Sequence, residues 1–302
     1  MAEQTVETIV NQLKTLLADK SPNYRAIVKL SNQLSKLDPK FQRFSVDAKT
    51  LIHLGRDSIK DHTTALIELV KNSYDADAFN VEVEVLCRNG NDLIRVADNG
   101  FGMTGEQLKD YWLRIGFSNK RKSKHSDLGR RKTGEKGIGR ISTDRLGGKL
   151  ELLSKTESGG IVGLVINWDE FDSDEKDIFD IDVELTSPTS INIPSKDGKE
   201  SKAGTEIKIS NLRQPWSSLN IENLYYELSA LTSPFKDVVD FEIDLKNDVA
   251  EVFSKKVDAD FYKASEIELT TIFDGSNEVY YSIKDKYSDR DIVDTITLPQ
   301  FY

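Results

Sequence analysis

The chain has 302 residues, which is enough for two domains with a substantial core. Its formal net charge of −10 and hydrophobic content of 38% are typical of a globular protein in water, and this acidic balance argues against a general affinity for nucleic acid. The single cysteine excludes an internal disulfide, and there is neither a secretory signal nor an apolar run long enough to span a bilayer, so we expect a cytoplasmic protein without a membrane partner.

Residues 1–44 predict a helical hairpin. Apolar residues recur at spacings of three and four from Val6 to Leu17, and a second helical pattern follows Pro22 until Pro39 stops it. The hairpin either packs on the domain that follows or serves in dimerisation or in binding a partner protein. The sequence leaves both interpretations open.

From residue 45 onward the pattern mixes helices with strands. A helix is predicted over residues 58–75, and the stretch 103–145 shows no strand periodicity and is rich in glycine, lysine and arginine, as functional loops often are. A second helix is predicted at 219–232, and a turn at Asp274 and Gly275. Strands are predicted near 80–88, 92–98, 148–156, 160–168, 178–186 and 204–210, and at FEIDL, ASEIELTTIF, EVYYSIKDKY and ITLPQFY.

The first predicted helix after the hairpin carries three polar residues on one face. Residues 64–78 read TALIELVKNSYDADA, which places Glu68, Asn72 and Asp75 at positions i, i+4 and i+7. Glu68 lies inside an apolar run, so we expect a buried carboxylate that serves a function. Asn72 is unfavourable in the middle of a helix, whereas turn chemistry explains Asp75 almost as well as a functional role.

Three other segments place glycine where a ligand could approach the backbone. Residues 96–103 read VADNGFGM and end a strand at Asp98, although Asp-Asn-Gly by itself is also an ordinary turn. Residues 132–140 read KTGEKGIGR, whose glycines let backbone N–H groups converge on an anion, without the Gly-Lys-Ser/Thr of a P-loop. Residues 204–209 read GTEIKI and begin a strand with Gly-Thr.

The order and spacing of these four segments resemble the GHKL superfamily of DNA gyrase, the heat-shock ATPase chaperones, histidine kinases and MutL. The resemblance covers roughly residues 45–212 and is closest in motif style to the MutL, heat-shock chaperone and MORC-like branch. It implies an α+β fold, a two-layer sandwich of the Bergerat type with a mixed, mostly antiparallel sheet. Residues 213–302 would then be the start of a transducer-like second domain that continues beyond Tyr302.

The resemblance also implies a Mg-ATP site. Glu68 matches the general base that activates water, Asn72 the ligand of Mg²⁺, and Asp98 the acceptor for the adenine amine. The remaining cofactor-binding positions implied by the motifs are Asp75, Gly100, Gly102, Met103, Gly134, Lys136, Gly137, Gly139 and Thr205.

The function implied is an ATPase whose lid, about residues 103–140, closes on Mg-ATP and promotes homodimerisation. Phosphotransfer is disfavoured because the N-terminal hairpin has no histidine. Two alternatives stay open: a non-hydrolysing regulatory module that acts through partners, and an ATP-gated nucleic-acid clamp in a bacterial-type defence system, such as antiviral defence, or a stress system. A basic cluster near the lid fits a solvated loop, phosphate attraction or a nucleic-acid contact: Lys120, Arg121, Lys122, Lys124, Arg130, Arg131 and Lys132.

Overall fold

In the part of the chain that the structure describes, the helices lie mostly before residue 80. The computed structural model describes residues 5–40, 44–87, 92–116, 125–132, 139–173, 176–195, 198–232, 241–258, 267–273, 275, 277–285 and 291–297. In these ranges no helix is long and apolar enough to cross a membrane. The α-helices there are α1 (Val6–Ala18), α2 (Tyr24–Lys36), α3 (Lys49–Asp57), α4 (His62–Asp75), α5 (Gly105–Leu108) and α6 (Ser218–Ser229).

Eight strands form one sheet, in the order β5-β4-β3-β6-β2-β1-β7-β8. All neighbours are antiparallel except β1 and β7, which run parallel. The strands are β1 (Asn80–Leu86), β2 (Leu93–Asp98), β3 (Gly147–Lys155), β4 (Ile161–Asn167), β5 (Glu184–Thr186), β6 (Gly204–Leu212), β7 (Glu242–Asn247) and β8 (Lys255–Lys256).

The two faces of this sheet differ in chemistry because side chains alternate along each strand. In β1 the three valines are fully buried in the core that includes α4 and α6. On the opposite face Arg95 is 4% exposed and donates to Glu206 at 2.7 Å and to Glu82 at 2.9 Å. One face therefore packs on helices and the other carries a charged network, which confirms the predicted two-layer sandwich with a mostly antiparallel sheet.

A separate three-stranded sheet follows, formed by β9 (Ile267–Phe273), β10 (Glu278–Asp285) and β11 (Asp291–Thr297). The central strand β10 pairs antiparallel with both neighbours. Gly275 lies between β9 and β10 with a positive φ of 86°, at the predicted turn, whereas Asp274 lies outside the described residues.

The N-terminal hairpin forms as the sequence predicts. Thr5 and Asn23 cap α1 and α2 by accepting backbone N–H groups of the first turns. Ion pairs between α2 and the segment 180–182, Arg25 with Asp182 and Lys36 with Asp180, join the hairpin to the rest of the chain. Both pairs are exposed, so they add little stability.

The strand predicted over residues 178–186 is wrong for most of its length. Residues Ile178–Asp180 form a short 3₁₀ helix, and only Glu184–Thr186 pair in the sheet. The Asp177 carboxylate accepts a hydrogen bond from the N–H of Phe179, and the N–H of Ile178 donates to the carbonyl of Val46. The bond between residues 177 and 179 and the long-range bond to Val46 replace the ladder that a strand would need.

The large sheet continues past residue 212, where the sequence places a domain boundary. Helix α6 packs on the same core as α4, and β7 pairs with β1 from Asn80↔Glu242 onward. A pairing between strands so far apart in sequence leaves no local pattern, so the periodicity of the chain does not reveal it.

Candidate functional site

Helix α4 presents the three polar residues identified from the sequence. Asp61 fixes its first turn by accepting the N–H of Thr64 at 2.8 Å. Along the helix Asn72 is exposed, whereas Asp75, its last residue, is 8% exposed. From Asn72 to Asp75 the predicted site residues on this face of α4 therefore become more buried toward the C-terminal end of the helix.

Glu68 differs from the prediction of a buried carboxylate. Its side chain is 30% exposed, and Oε1 lies 2.9 Å from Nζ of Lys71, one turn along the same helix. The apolar residues around it in sequence project to other sides of α4, because successive residues turn by about 100°. Glu68 therefore sits at the margin of the core, where water can reach it.

Asp98 ends β2 as a buried carboxylate, 6% exposed. Its Oδ2 accepts the hydroxyl of Ser73 at 2.9 Å, and its Oδ1 accepts the N–H of Gly100 at 2.9 Å. Desolvation raises the pKa of the Asp98 carboxyl to about 6, although hydrogen bonds from Gly100, Ser73 and Thr205 oppose the rise. A ligand that donates a further hydrogen bond to this buried carboxylate would stabilise its charged form.

A row of polar groups crosses three strands beside Asp98. Thr205 of β6 is the register partner of Asp98 on one side and of Ser154 on the other. The hydroxyls of Ser154 and Thr205 lie 3.0 Å apart, and the N–H of Met103 donates to the Ser154 hydroxyl at 2.9 Å. The structure therefore places Asp98, Met103 and Thr205 close together.

Gly100 and Gly102 are required by close backbone packing. Gly102 has a φ of +65°, and a Cβ there would meet the carbonyl oxygen of Lys155 at 1.9 Å. A Cβ at Gly100 would meet the carbonyl oxygen of Ala76 at 2.6 Å. Side chains at these positions would push the loop 98–103 away from α4 and β3.

The last glycine of the segment 132–140 lies beside the middle of α4. Gly134, Lys136 and Gly137 lie outside the described residues, but Gly139 is described. A Cβ built on Gly139 would lie 3.8 Å from Oε2 of Glu68. The last glycine of the segment therefore lies beside the candidate base.

Arg140 follows Gly139 in the chain. Its Nη2 donates to the carbonyl of Arg114 at 2.7 Å, and burial lowers the pKa of the Arg140 guanidinium to about 10. A desolvated arginine beside backbone glycine is suited to an anion.

Ser73 and Ser154 also belong to the candidate site, although no sequence motif points to them. Both are polar residues at core-facing positions, Ser73 on α4 and Ser154 in the run LELLSK of β3. A serine on an otherwise apolar face is the signal that could have identified them. Their partners become visible only when the register is known.

The basic cluster in residues 120–132 also separates into different environments. Residues 120, 121, 122 and 124 lie outside the described residues, Arg131 is exposed and Lys132 is half-buried. Arg130, in contrast, is 8% exposed and packs against α4 rather than lying in a solvated loop.

The site therefore has two chemically different ends. Ser73, bonded to Asp98, and Glu68, beside Gly139, lie five residues apart, about 7–8 Å along the axis of α4. One end offers a buried acceptor with a row of hydroxyls, and the other offers a carboxylate near glycine and arginine.

Two comparisons with known proteins bear on this geometry. The family described as histidine kinase-, DNA gyrase B-, and HSP90-like ATPase matches residues 60–205, which include every described residue of the site. Over 95 residues the chain is 35% identical to a protein of Herpetosiphon aurantiacus named "Putative type II restriction enzyme HgiDII". That similarity spans 32% of this chain and only 15% of the relative.

Proposed function

Because residues 60–205 belong to the GHKL-type ATPase family, whose domain implies ATP binding, we propose that this chain binds Mg-ATP along α4 and hydrolyses it. The observation that carries the proposal is Asp98, a buried carboxylate at the end of β2 with its neighbouring row of hydroxyls.

Asp98 accepts the exocyclic amine of adenine in this proposal. The Ser73 hydroxyl and the Gly100 N–H already orient its two oxygens, so the amine completes the set of donors. Gly100 and Gly102 let the base approach the backbone, and Met103 and Thr205 lie beside the ring.

Glu68 acts as the general base at the opposite end. It takes the proton of the attacking water, and its position at the margin of the core admits that water. Gly139, beside Glu68, and the rest of the segment 132–140 hold the phosphates with Arg140 nearby, and Asp75 orders waters at the end of α4.

Asn72 fits a magnesium ligand. In the described part of the chain no three His, Cys, Asp or Glu side chains gather into a metal site, so a single exposed amide oxygen on α4 suits an ion held mainly by phosphates and water. When bound, Mg²⁺ would supply charge neutralisation at the phosphates. We further propose that the region 103–140 closes on the nucleotide and that closure promotes a homodimer.

The test compares Asp98→Ala, Glu68→Ala and a control, Glu227→Ala, which removes an exposed glutamate of α6. Titration of a non-hydrolysable Mg-ATP analogue should show binding to wild type and control, weakened about 10- to 100-fold in Asp98→Ala because a charge-assisted hydrogen bond is lost. Glu68→Ala should bind normally but release phosphate about 10²- to 10⁴-fold more slowly.

Each other outcome has a defined meaning. No binding to wild type contradicts the proposal. If wild type binds nucleotide but releases phosphate no faster than Glu68→Ala, the chain is a regulatory module that acts through its nucleotide state. Sedimentation of the same samples tests the dimer, which should form with the ATP analogue and not with ADP.

The restriction-enzyme name of the relative favours a second candidate, an ATP-gated nucleic-acid clamp. The net charge of −10 and the buried position of Arg130 weigh against it. Duplex DNA that raises phosphate release, with the effect lost steeply as salt increases, would favour the clamp over the simple ATPase.

A further inference from the structure

The turn that follows α4 joins two parts of the chain that lie far apart in sequence. We define the α4 terminal turn as residues 76–79. It contacts the loop 98–103 on one side and the segment 125–131 on the other. Its position therefore affects the end of the site that holds Asp98.

The segment 125–131 is a compact reverse turn. Its ends pair through a bridge between His125 and Arg131, and the N–H of Ser126 donates to the carbonyl of Arg130 at 2.9 Å. Gly129 supplies the turn with a φ of +81°. This local structure presents the Arg130 side chain toward α4.

Arg130 fastens this segment to the end of α4. Its Nη1 donates to the carbonyl of Ala78 at 2.7 Å and to that of Tyr74 at 3.3 Å. The guanidinium lies 4.8 Å from the Tyr74 ring centroid and 5.7 Å from that of Phe241. A planar, delocalised cation can donate to carbonyls and stack on rings at once, which lysine cannot do equally well.

Asp77 makes a second link. Its side chain is fully buried, its φ is +58°, and its Oδ2 accepts the N–H of Leu128 at 3.1 Å. Its Oδ1 lies 4.0 Å from Nε of Arg130. The carboxylate thus offsets the charge of the buried arginine while it binds the same segment.

The opposite side of the turn holds the loop that carries the candidate adenine contacts. The N–H of Phe101 donates to the carbonyl of Ala76 at 3.1 Å, and Gly100 packs against the same residue. The Asn99 side chain accepts the N–H groups of Phe79 and Asn80, each at 2.8 Å. A shift of the turn would therefore move residues 99–101 and the N–H that orients Asp98.

We infer that Arg130 is a positioning residue of the nucleotide site, which fixes the α4 terminal turn and through it the loop 98–103. The inference rests on the proposed function, since it concerns how the same site is held. The alternative is that Arg130 only stabilises the fold, as a buried arginine with aromatic neighbours can do anywhere in a protein.

The test measures nucleotide affinity separately from stability. The variants are Arg130→Ala, Arg130→Lys and the milder Asp77→Asn, which keeps a residue tolerant of positive φ. Arg25→Ala, which removes an exposed arginine of α2, is the control. Each variant is titrated with ADP and with a Mg-ATP analogue at a temperature where its unfolding curve shows it to be folded.

If Arg130 positions the site, Arg130→Ala should raise Kd for both nucleotides by a similar factor, about tenfold. The reason is that ADP and the Mg-ATP analogue would both place adenine at the Asp98 end of the site, which the substitution disturbs. KM for ATP should rise by that factor while kcat changes less than about twofold, and Arg130→Lys should recover part of the affinity. Asp77→Asn should weaken binding in the same direction by a smaller factor.

The opposite results are equally specific. An unchanged Kd in folded Arg130→Lys and Asp77→Asn, with only the unfolding midpoint lowered, overturns the positioning role even if Arg130→Ala does not fold. A fall in kcat with unchanged KM also overturns it, because the effect would then lie at the Glu68 end. Wild type that binds neither nucleotide would instead refute the proposed function itself.

Discussion

Asp98 makes the stability of the fold depend on pH and, in the proposed site, the binding of nucleotide as well. Its pKa is raised by burial from the ordinary 3.8 to about 6, so between these values the folded chain holds a proton that the unfolded chain has released. The free energy of unfolding therefore falls as pH rises through this window, by up to about 3 kcal/mol from this group. The ionised carboxylate is kept at a cost to stability, as is common at binding sites.

Replacing this residue with its amide should separate the two effects. We expect Asp98→Asn to be at least as stable as wild type at about pH 8 without nucleotide, because no charge is buried, and to lose most of its nucleotide affinity. Urea unfolding at about pH 5 and pH 8 measures the first effect, and titration calorimetry the second.

The wild-type protein supplies the complementary observation. Its nucleotide affinity should fall as the pH drops below about 6, because protonated Asp98 no longer accepts two donors and a ligand amine together. A flat affinity between about pH 5 and pH 8 would show that Asp98 does not contact the ligand.

At the scale of elements, strongly periodic segments are predicted correctly from sequence. The helix that carries Glu68 and strand β1 have clear periods of 3.6 and 2, because each buries one face. Helix α3 (Lys49–Asp57) is not predicted, since nine residues give too few turns for a distinct period.

In the candidate site, too, local motifs can be predicted from sequence, whereas contacts between distant segments cannot. Asp98 and the glycines after it form a local motif, which sequence alone can recognise. The partners Ser73 and Ser154 belong to the site only because α4, β2, β6 and β3 meet in a particular register. Arg130 is misjudged for the same reason: its acceptors are more than 50 residues away in the chain.

Asp144 joins three elements near the end of the glycine-rich segment. It is fully buried, accepts Nε of Arg56 in α3 at 2.7 Å, and accepts Nη2 of Arg213, just after β6, at 2.6 Å. Its own 3₁₀ helix, Ile141–Arg145, begins two residues after Gly139. This carboxylate therefore ties the residues that follow Gly139 to α3 and to the end of β6.

Loss of that carboxylate should be costly. We expect Asp144→Ala to lower the free energy of unfolding by about 3–5 kcal/mol, since the charge-assisted hydrogen bonds that this buried carboxylate makes to two part-buried arginines are lost. Asp169→Ala is the matched control: its side chain is 56% exposed and also bonds Arg213, so its loss should cost less than about 1 kcal/mol. If urea unfolding shows that Asp144→Ala and Asp169→Ala lower the free energy of unfolding equally, burial is not what makes the Asp144 ion pairs important.

For the whole molecule, the parallel pairing of β1 with β7 determines where the first folding unit ends. A chain shortened to end at residue 212 would lose α6 and leave the edge of β1 unpaired, so we expect it to aggregate. A chain that ends at residue 258 keeps the whole eight-stranded sheet and should stay monodisperse and bind nucleotide. Size-exclusion chromatography followed by titration distinguishes the two.

The opposite result would change the domain assignment. If the chain ending at residue 212 is well folded and binds nucleotide, then α6, β7 and β8 are accessory to the ATP-binding unit. If the chain ending at residue 258 aggregates, the three-stranded sheet of β9, β10 and β11 is needed to cover part of the domain.

The same pairing has a consequence during synthesis on the ribosome. Strand β7 emerges about 160 residues after β1, so β1 waits on the order of ten to thirty seconds for its partner at usual rates of translation. For that time it exposes an open row of backbone donors and acceptors next to apolar valines. Glu82 and Glu84, which alternate with those valines, place negative charge on the waiting strand and so discourage its pairing with a second nascent chain.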